Sequence, residues 1–343
     1  MLYAGIDLHR RYLVVVVLDS SGAVVLERRL ANDPGVILGC FGGLDEPMYT
    51  VVEAMGSWQW LHDLLVGEGI PTMLAHPFKV RAIAAARLKN DRIDARILAD
   101  LLRAGLIPPA YVASPAVRTL RELLRHRAAL VRMQTGLKNR LRALLAKRNL
   151  AVTATSLMSR KARAELAALK LTGTVRRELD QYLELLDHLA ELIQHLNIEV
   201  ERRALNNKSA KLLMTIPGVG YYIALMILAE IGDVRRFPSA RKLASYAGLV
   251  PTTRSSGDHT YHGHITKQGS SWLRWAAIEV AMHLTRQAGP LRRVYERQRR
   301  RKGPKVARVA LARKVLTYMY WMLKHNEPYD AQVRRLETVG VSP

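Results

Sequence analysis

The stretch GIDLHRRYLVVVVLD, residues 5–19, decides the fold, because it ends one apolar strand and contains most of a second. Apolar residues at every second position lead to Asp7, and four consecutive valines follow at Val14–Val17. An aspartate at the end of an apolar strand must be solvated, paired or bound to metal, because an unpaired buried charge is costly. Asp7 is therefore the first candidate functional residue.

Around that stretch, residues 1–110 alternate between strand and helix patterns. Three strands are predicted first, with the hairpin signal SSG between the second and the third, and two more strands follow between helices. The predicted strands are Leu2–Asp7, Tyr12–Asp19, Ala23–Leu30, Tyr49–Ala54 and Thr72–Ala75, and the predicted helices are Val36–Phe41, one from Ser57, Val80–Ala86 and Ile93–Arg103. This α/β element order is that of the ribonuclease H-like fold, which does not by itself give a function.

The charge of the chain points to a polyanionic partner. There are 53 Lys and Arg residues against 29 Asp and Glu, a net charge of +24, which favours nucleic acid over a membrane. Ten basic residues and one acid lie within 118–148, and twelve basic residues and one acid lie within 286–314. We interpret both runs as phosphate-binding surfaces, with a solvated basic face as the alternative.

Cysteine usage and hydropathy exclude several classes of protein. Cys40 is the only cysteine, so the sequence has neither a disulfide framework nor a thiolate metal site. No apolar stretch is long enough to cross a bilayer, and charged residues interrupt the apolar core that an N-terminal signal peptide needs. We therefore expect a soluble cytoplasmic protein without a membrane partner.

The rest of the chain is predicted to be mainly helical. Within 113–208, two sets of apolar residues at heptad spacing predict a coiled coil. These sets are Leu179, Leu186, Ile193 and Val200, and Tyr182, Leu189 and Leu196. The partner of this helix is either the preceding basic helix or another protomer. Farther on, TIPGVG resembles a helix-hairpin-helix turn in which Gly218 and Gly220 could bring backbone N–H groups to a DNA phosphate, a plain helical hairpin being the alternative.

Four carboxylates of the first part of the chain form a candidate metal site. Asp7 and Glu53 end predicted strands that are neighbours in this topology, and Asp91 and Asp94 lie three apart at a helix start. Asp100 falls on the opposite side of that helix and is left out. Carboxylates gathered from separate elements can hold two Mg²⁺ about 4 Å apart. Taken singly, the acids could instead be a turn residue, a helix cap or a first-turn acid.

A set of motifs in a fixed order carries a family resemblance over nearly the whole chain. The motifs are GIDLH, VVEA, KNDRIDARILA, TIPGVG, LASYAGLVP, RSSG and ITKQGSSWLR. Together they resemble the insertion-sequence transposases with an aspartate-glutamate-aspartate-aspartate (DEDD) tetrad, some of which are bridge-RNA-guided recombinases. The resemblance implies a RuvC-like domain followed by a C-terminal transposase domain with a nucleophilic serine. Together with the patterns along the chain, it predicts a RuvC-like domain at 1–112, a basic helix and coiled-coil segment at 113–208, a mainly α transposase domain at 209–330 and a tail at 331–343.

The resemblance also implies the site residues. The DEDD tetrad falls on Asp7, Glu53, Asp91 and Asp94, and the nucleophile falls on Ser256, with the adjacent Ser255 as the alternative. Attack by a serine hydroxyl would give a phosphoserine link to DNA, and a serine needs a base or metal beside it.

Other residues near the serine have less defined roles. A polar loop, residues 252–271, is predicted to carry the serine together with three histidines. These histidines are His259, His262 and His264. Phosphate contact, proton shuttling and a plain polar loop all remain open for them. Lys267 and Arg274 are expected to clamp phosphates.

The implied reaction is Mg²⁺-dependent recombination of donor and target DNA in a prokaryotic cytoplasm. A non-coding bridge RNA would pair with both duplexes, and dimers would assemble into a tetramer in which the tetrad of one subunit completes the serine site of another. One rival is a RuvC-like structure-specific endonuclease that uses water as nucleophile, and another is a non-catalytic nucleic-acid-binding protein. An actin-like ATPase is disfavoured by the basic, helical second half.

Overall fold

A computed structural model describes residues 1–84, 90–256 and 259–330 of the protein. The predicted tail at 331–343 and the end of the helix predicted to reach Ala86 lie outside the described residues. The chain divides into two compact units, and the second begins at Ser114. Within the described part of the chain, no helix is both long and apolar enough to span a membrane.

Within its described residues, the first unit, Met1–Ala113, contains five strands and four helices. The strands are β1 Leu2–Leu8, β2 Tyr12–Leu18, β3 Val24–Ala31, β4 Met48–Glu53 and β5 Thr72–Ala75. The helices are α1 Pro34–Gly42, α2 Trp58–Gly67, α3 Pro77–Ile83 and α4 Asp91–Arg103. The predicted order of elements is therefore confirmed, with small differences at their ends.

The five strands form one mixed sheet in the order β3-β2-β1-β4-β5. β1 and β3 each run antiparallel to β2, whereas β4 runs parallel to both β1 and β5. This topology is compatible with a ribonuclease H-like domain. Ile6 pairs with Val52, so Asp7 and Glu53 follow at equivalent positions at the carboxyl edge of the sheet.

Both faces of the sheet are covered, which explains the unbroken valine run in β2. Val15 and Val17 belong to a core that includes residues of α1 and α2, and Val14 and Val16 pack with Ala95 of α4. A strand buried on both faces reads as a continuous apolar run, because neither set of alternate side chains meets water.

Gly5 allows α4 to approach β1 closely. A Cβ atom at Gly5 would lie 2.0 Å from the backbone oxygen of Ala95 and 2.4 Å from the backbone nitrogen of Ala99. Both atoms belong to the backbone of α4, so no side-chain rotation would relieve the overlap. This close approach holds the start of α4, with Asp91, beside the end of β1.

We expect Gly5→Ala to destabilise the first unit by about 3 kcal/mol, because overpacking a tight contact displaces the helix. The matched control is Gly39→Ala within α1, where a Cβ would meet nothing within 4 Å and alanine favours the helix. Urea denaturation of the full-length protein, with hydrogen exchange of residues 91–103, measures both changes. Equal stability of the two variants would show that α4 does not depend on Gly5.

The second unit contains eight helices and a two-stranded hairpin within its described residues. The helices are α5 Pro115–Ala146, α6 Arg160–Ala167, α7 Gly173–Leu205, α8 Lys208–Leu213, α9 Tyr221–Ile231, α10 Ala240–Tyr246, α11 Ser271–Leu284 and α12 Pro290–His325. The strands are β6 Pro251–Ser256 and β7 His259–Ile265. The polar loop expected in this region is thus largely a β-hairpin, which corrects the sequence-based prediction.

The first heptad set of α7 is buried inside the same chain. Leu179 and Leu186 pack in one cluster with Leu141 and Leu145 of α5. Val200, near the other end of α7, belongs to the larger core of this unit. The basic helix α5 is therefore one partner of the heptad surface.

A buried carboxylate organises the centre of the second unit. Glu230 of α9 is 2% exposed, and its Oε1 accepts a hydrogen bond of 2.7 Å from Arg125 of α5. The hydroxyl of Ser270 donates to Glu230 Oε2 at 2.8 Å, and Arg121 donates to the backbone oxygen of Ala229 at 2.8 Å. Arg121 and Arg125, two residues of the basic run in α5, therefore have partners within the same chain. Such partners are needed because an unpaired buried carboxylate is costly.

Candidate active site

Three side chains of the first unit converge where β1 ends beside the start of α4. Nε2 of His9 lies 3.0 Å from Oδ2 of Asp7 and 3.2 Å from Oδ2 of Asp91. One ligand atom from each residue lies within 4.8 Å of the other two. The structure therefore brings together two of the predicted carboxylates and adds a histidine that sequence reasoning missed.

We call the place where Asp7, His9 and Asp91 meet the acidic centre. The cap of α4 leaves Asp91 available to it. Asn90 is the N-cap, and its side chain accepts a hydrogen bond of 3.1 Å from the backbone N–H of Arg92. Asp91 is the first helical residue, and its Oδ2 accepts a hydrogen bond of 3.0 Å from the Tyr12 hydroxyl. The alternative that Asp91 caps the helix is therefore wrong. Asp94 lies in the first turn, where the helix dipole also favours a carboxylate.

The electrostatics of this centre suit a divalent cation. Burial raises the pKa of Asp7, His9 opposes that shift, and the nearby carboxylates of Asp94 and Asp91 add to it. Like charges held together in a partly buried place repel each other. A cation between them would relieve that repulsion, and carboxylate oxygens are the ligands that Mg²⁺ prefers. The donor set therefore fits a divalent metal ion.

Glu53 reaches the same edge of the sheet through β4. It follows Val52, the register partner of Ile6, so it lies one strand away from Asp7 at the same level. Its side chain is partly buried. Side chains at paired positions of neighbouring strands lie on the same face, which places Glu53 on the α4 side of the sheet with Asp7.

Tyr12 and Arg29 support the centre from β2 and β3. The Tyr12 ring stacks on His9 with their centroids 4.6 Å apart, and the guanidinium carbon of Arg29 lies 3.8 Å from the Tyr12 centroid. The pKa of Tyr12 is raised chiefly by its hydrogen bond to Asp91. A sequence signal could have identified His9 and Tyr12. His9 follows Asp7 by two residues, and Tyr12 begins the next strand.

The predicted nucleophile lies in the hairpin of the second unit. Ser256 is the last residue of β6 and is exposed, and its register partner is His259. Ser255 pairs with Thr260, and their hydroxyl oxygens are 3.1 Å apart. Because successive side chains of a strand point to opposite faces, the two serines lie on different sides of the hairpin.

The histidines of the hairpin are distributed along β7. His259 is exposed and its ring centroid lies 6.5 Å from that of Tyr261. His264 is also exposed and lies one position before Ile265, the last residue of β7. Gly257 of the RSSG motif and the side chain of His262 lie outside the described residues. A Gly-Asp pair between β-branched and aromatic residues was the sequence signal for this hairpin.

Two loops pack against each other at the base of the hairpin. One contains Gly248 and precedes β6, and the other contains Gly269 and follows β7. A Cβ at Gly248 would lie 2.6 Å from the backbone oxygen of Gln268, and one at Gly269 would lie 2.1 Å from that of Tyr246. Nη1 of Arg274 donates to the backbone oxygens of Ala247 at 2.9 Å and Lys267 at 3.2 Å.

These contacts bear on the expected phosphate clamps. The bonds of Arg274 to backbone oxygens favour a structural role for its guanidinium. Lys267 is exposed and has φ of 54°, a left-handed conformation at the turn that follows the hairpin. Phosphate contact by either residue stays a prediction.

The glycines of the predicted helix-hairpin-helix lie between α8 and α9. Gly218 has φ of 86°, and a Cβ there would lie 2.7 Å from Cβ of His283 in α11. Gly220 is exposed and is the N-cap of α9. Gly218 is therefore required by the backbone and by packing, whereas contact of either glycine with DNA stays a prediction.

Comparison with known proteins identifies the family. A "Transposase" model of the DEDD, IS110 type matches residues 4–149, and a "Transposase IS116/IS110/IS902 family" model matches residues 210–297. The transposase for insertion sequence element IS1111A of Coxiella burnetii is 30% identical over 349 residues, covering 95% of this chain and 90% of that protein. The chain belongs to the IS110/IS116 family of transposases. The resemblance inferred from the motifs is thereby confirmed.

Two further relatives of this transposase differ in coverage. A probable family 20 transposase of Pseudomonas aeruginosa is 26% identical over 342 residues, covering 95% of this chain and 97% of that protein. A pilin gene-inverting protein of Moraxella bovis is 35% identical over 130 residues, covering 37% and 40%. Transposases act on DNA and cleave it, and a DEDD-type domain indicates the use of divalent metal ions.

Proposed function

We propose that this transposase recombines donor and target DNA through a covalent serine intermediate. The acidic centre would hold Mg²⁺ through Asp7, Glu53, Asp91 and Asp94, and Ser256 would be the nucleophile. The observation that carries the proposal is the convergence of Asp7 and Asp91 at one point, although they belong to a strand and a helix 84 residues apart in sequence (91 − 7). Carboxylates brought together from separate elements are typical of a metal-dependent phosphodiester site.

The proposed chemistry conserves the phosphodiester bonds. The Ser256 hydroxyl would lose its proton and attack phosphorus, forming an Oγ–P bond while the bond to one deoxyribose oxygen breaks. That oxygen would take up a proton and leave as a free hydroxyl. A second deoxyribose hydroxyl would then lose its proton and attack the same phosphorus. The Oγ–P bond would break, and Oγ of Ser256 would take up a proton. A bound divalent ion would stabilise the charge that develops on the phosphate oxygens.

The surroundings of the acidic centre support a phosphate backbone as substrate. A groove of about 590 Å³ beside Asp91 is lined by Arg28, Arg29 and Arg92. It also contains Glu27, whose Oε1 lies 2.6 Å from Nε of Arg92, so three basic residues face one acid there besides Asp91. Cationic side chains next to a metal site would neutralise flanking phosphates and hold the strand in register.

A second basic surface supports binding of nucleic acid by the other unit. Residues 292–305 of α12 form an arm that exposes eight basic residues and contains the break of the helix at Gly303, with φ of 78°. These residues are Arg292, Arg293, Arg297, Arg299, Arg300, Arg301, Lys302 and Lys305. We propose that this arm contacts DNA or a bridge RNA that pairs with both duplexes, so binding would weaken steeply as salt rises.

The finer features of assembly are also proposals. Part of the α7 surface is apolar and exposed, including Leu185, Leu192 and Ile198. This surface supports a coiled-coil contact between protomers, and we propose dimers that form a tetramer. We also propose that the turn at Gly218 and Gly220 acts as a helix-hairpin-helix and contacts DNA phosphates.

One experiment separates this function from its nearest rival. Purified protein is incubated with donor DNA, target DNA, Mg²⁺ and the RNA that copurifies with it, and then denatured in detergent. We expect a covalent protein–DNA adduct that mass spectrometry maps to Ser256. Cleaved DNA without any adduct would instead identify an endonuclease that uses water, and no cleavage with or without RNA would identify a binding protein.

A further inference from the structure

We propose that His9 is an additional ligand of the acidic centre and shifts its metal preference from Mg²⁺ towards Mn²⁺. This inference rests on the proposed function, because it assumes that Asp7 and Asp91 hold a metal ion. It concerns a residue outside the DEDD tetrad. His9 would bring a nitrogen donor into a site that otherwise offers oxygen donors.

The distances support direct coordination. In an octahedral centre with bonds of about 2.1 Å, neighbouring ligand atoms lie about 3 Å apart. Nε2 of His9 lies 3.0 Å from Oδ2 of Asp7 and 3.2 Å from Oδ2 of Asp91. Without a metal, Nε2 of His9 and Oδ2 of Asp7 share a hydrogen bond. A metal ion that displaces this proton could contact all three atoms after small shifts of the side chains.

The imidazole is held in place from several directions. The backbone N–H of His9 donates to the backbone oxygen of Tyr12 at 2.9 Å, and Nδ2 of Asn32 donates to the backbone oxygen of His9 at 2.9 Å. The Tyr12 ring stacks on the imidazole with an interplanar angle of 29°. Because backbone and ring are both restrained, Nε2 is directed at the carboxylates without the help of a metal.

The remaining contacts of this network link the histidine to Asp91. The Tyr12 hydroxyl donates to the same oxygen, Oδ2 of Asp91, that approaches His9. Arg29 lies against the Tyr12 ring. Tyr12 is therefore a positioning residue for both His9 and Asp91, and it orients donors that a metal would use.

The nature of the donor explains the expected preference. Mg²⁺ binds oxygen ligands and keeps several waters, whereas transition metals from Mn²⁺ onward accept imidazole nitrogen more readily. Replacing an oxygen or water ligand by Nε2 of His9 therefore favours Mn²⁺ over Mg²⁺. A centre built only of the four carboxylates would lack this bias.

Pulsed electron paramagnetic resonance of the full-length protein with Mn²⁺ alone tests the inference directly. We expect coupling of Mn²⁺ to a ¹⁴N nucleus in the natural protein, and loss of this coupling in His9→Gln. The control is His188→Gln, which alters an exposed histidine of α7 in the other unit and should leave the coupling unchanged.

Metal titration gives a second, quantitative readout. His9→Gln should weaken Mn²⁺ binding by about tenfold to a hundredfold, the range found when the environment of a metal ligand is altered. Mg²⁺ binding should change much less, so the preference for Mn²⁺ falls. Equal weakening of both ions would overturn the role of His9 in metal selection.

The outcomes distinguish this inference from the proposed function. If Mn²⁺ binds without ¹⁴N coupling, and Asp7→Asn abolishes that binding, the carboxylate centre stands and ligation by His9 is wrong. If the natural protein binds no Mn²⁺, both proposals fail. Both proposals are supported if His9→Gln loses the ¹⁴N coupling while His188→Gln keeps it. His9→Gln should then still bind Mn²⁺, but more weakly than the natural protein does.

Discussion

Recombination by the Ser256→Ala variant is expected to fall by more than about a thousandfold, because removal of a nucleophile eliminates the covalent route. The covalent protein–DNA adduct should disappear with it. Ser256 is exposed at the end of β6, so its replacement should leave the fold and the binding of DNA intact. Joined products are measured in the same reaction that traps the adduct.

Ser255 provides the matched control for that experiment. Its hydroxyl lies 3.1 Å from that of Thr260 and on the other side of the hairpin from Ser256. Ser255→Ala removes one exposed hydrogen bond, which contributes about 1 kcal/mol or less, so joining should change by no more than about fivefold. Loss of joining in Ser255→Ala with retention in Ser256→Ala would assign the nucleophile to Ser255. Retention of joining in both variants would reject a serine intermediate.

Asp7→Asn is expected to abolish metal binding and to lower DNA cleavage by more than about a thousandfold. Asparagine keeps the shape of the side chain but removes the charge that attracts a divalent cation. Stability should change by less than about 1 kcal/mol, because burial and the neighbouring Asp94 and Asp91 already disfavour the ionised form of Asp7. Calorimetric titration with Mn²⁺ and urea denaturation measure the two effects separately.

The control for this second prediction lies on the same helix. Asp100 of α4 pairs with Arg96 and Arg103 at 3.7 Å in each case, and it is not part of the acidic centre. Exposed pairs of this kind contribute little, so Asp100→Asn should keep both metal binding and cleavage. Normal cleavage by Asp7→Asn, or equal losses in the two variants, would contradict the metal centre.

Much of the first unit could be predicted from local patterns. The strand alternation before Asp7, the valine run and the hairpin signal at residues 20–22 depend on neighbouring residues alone, and the structure confirms the resulting order of elements. The hairpin of the second unit was missed because its strands are polar. Strands whose two faces are both polar show little difference in hydropathy between alternate positions. The Gly-Asp pair at residues 257–258 was therefore the main local signal for this hairpin.

The acidic centre was predicted only in part. The positions of Asp7 and Asp91 at element ends were visible in the sequence, but the contact with His9 was not. That contact depends on how closely α4 approaches β1, which Gly5 permits by lacking a side chain. The basic run of α5 shows the same limit, since the buried Glu230 that binds part of it lies more than 100 residues away.

The amino-acid sequence by itself determined the family, the order of strands and helices in the first unit, and the identity of the candidate acids and serine. These depend on composition, local periodicity and motif order. Only the tertiary structure decided which acids lie beside His9 and which serine forms a hydrogen bond with Thr260. Such contacts depend on strand register and on the distance between packed backbones, because the chain brings distant residues together only after it has folded.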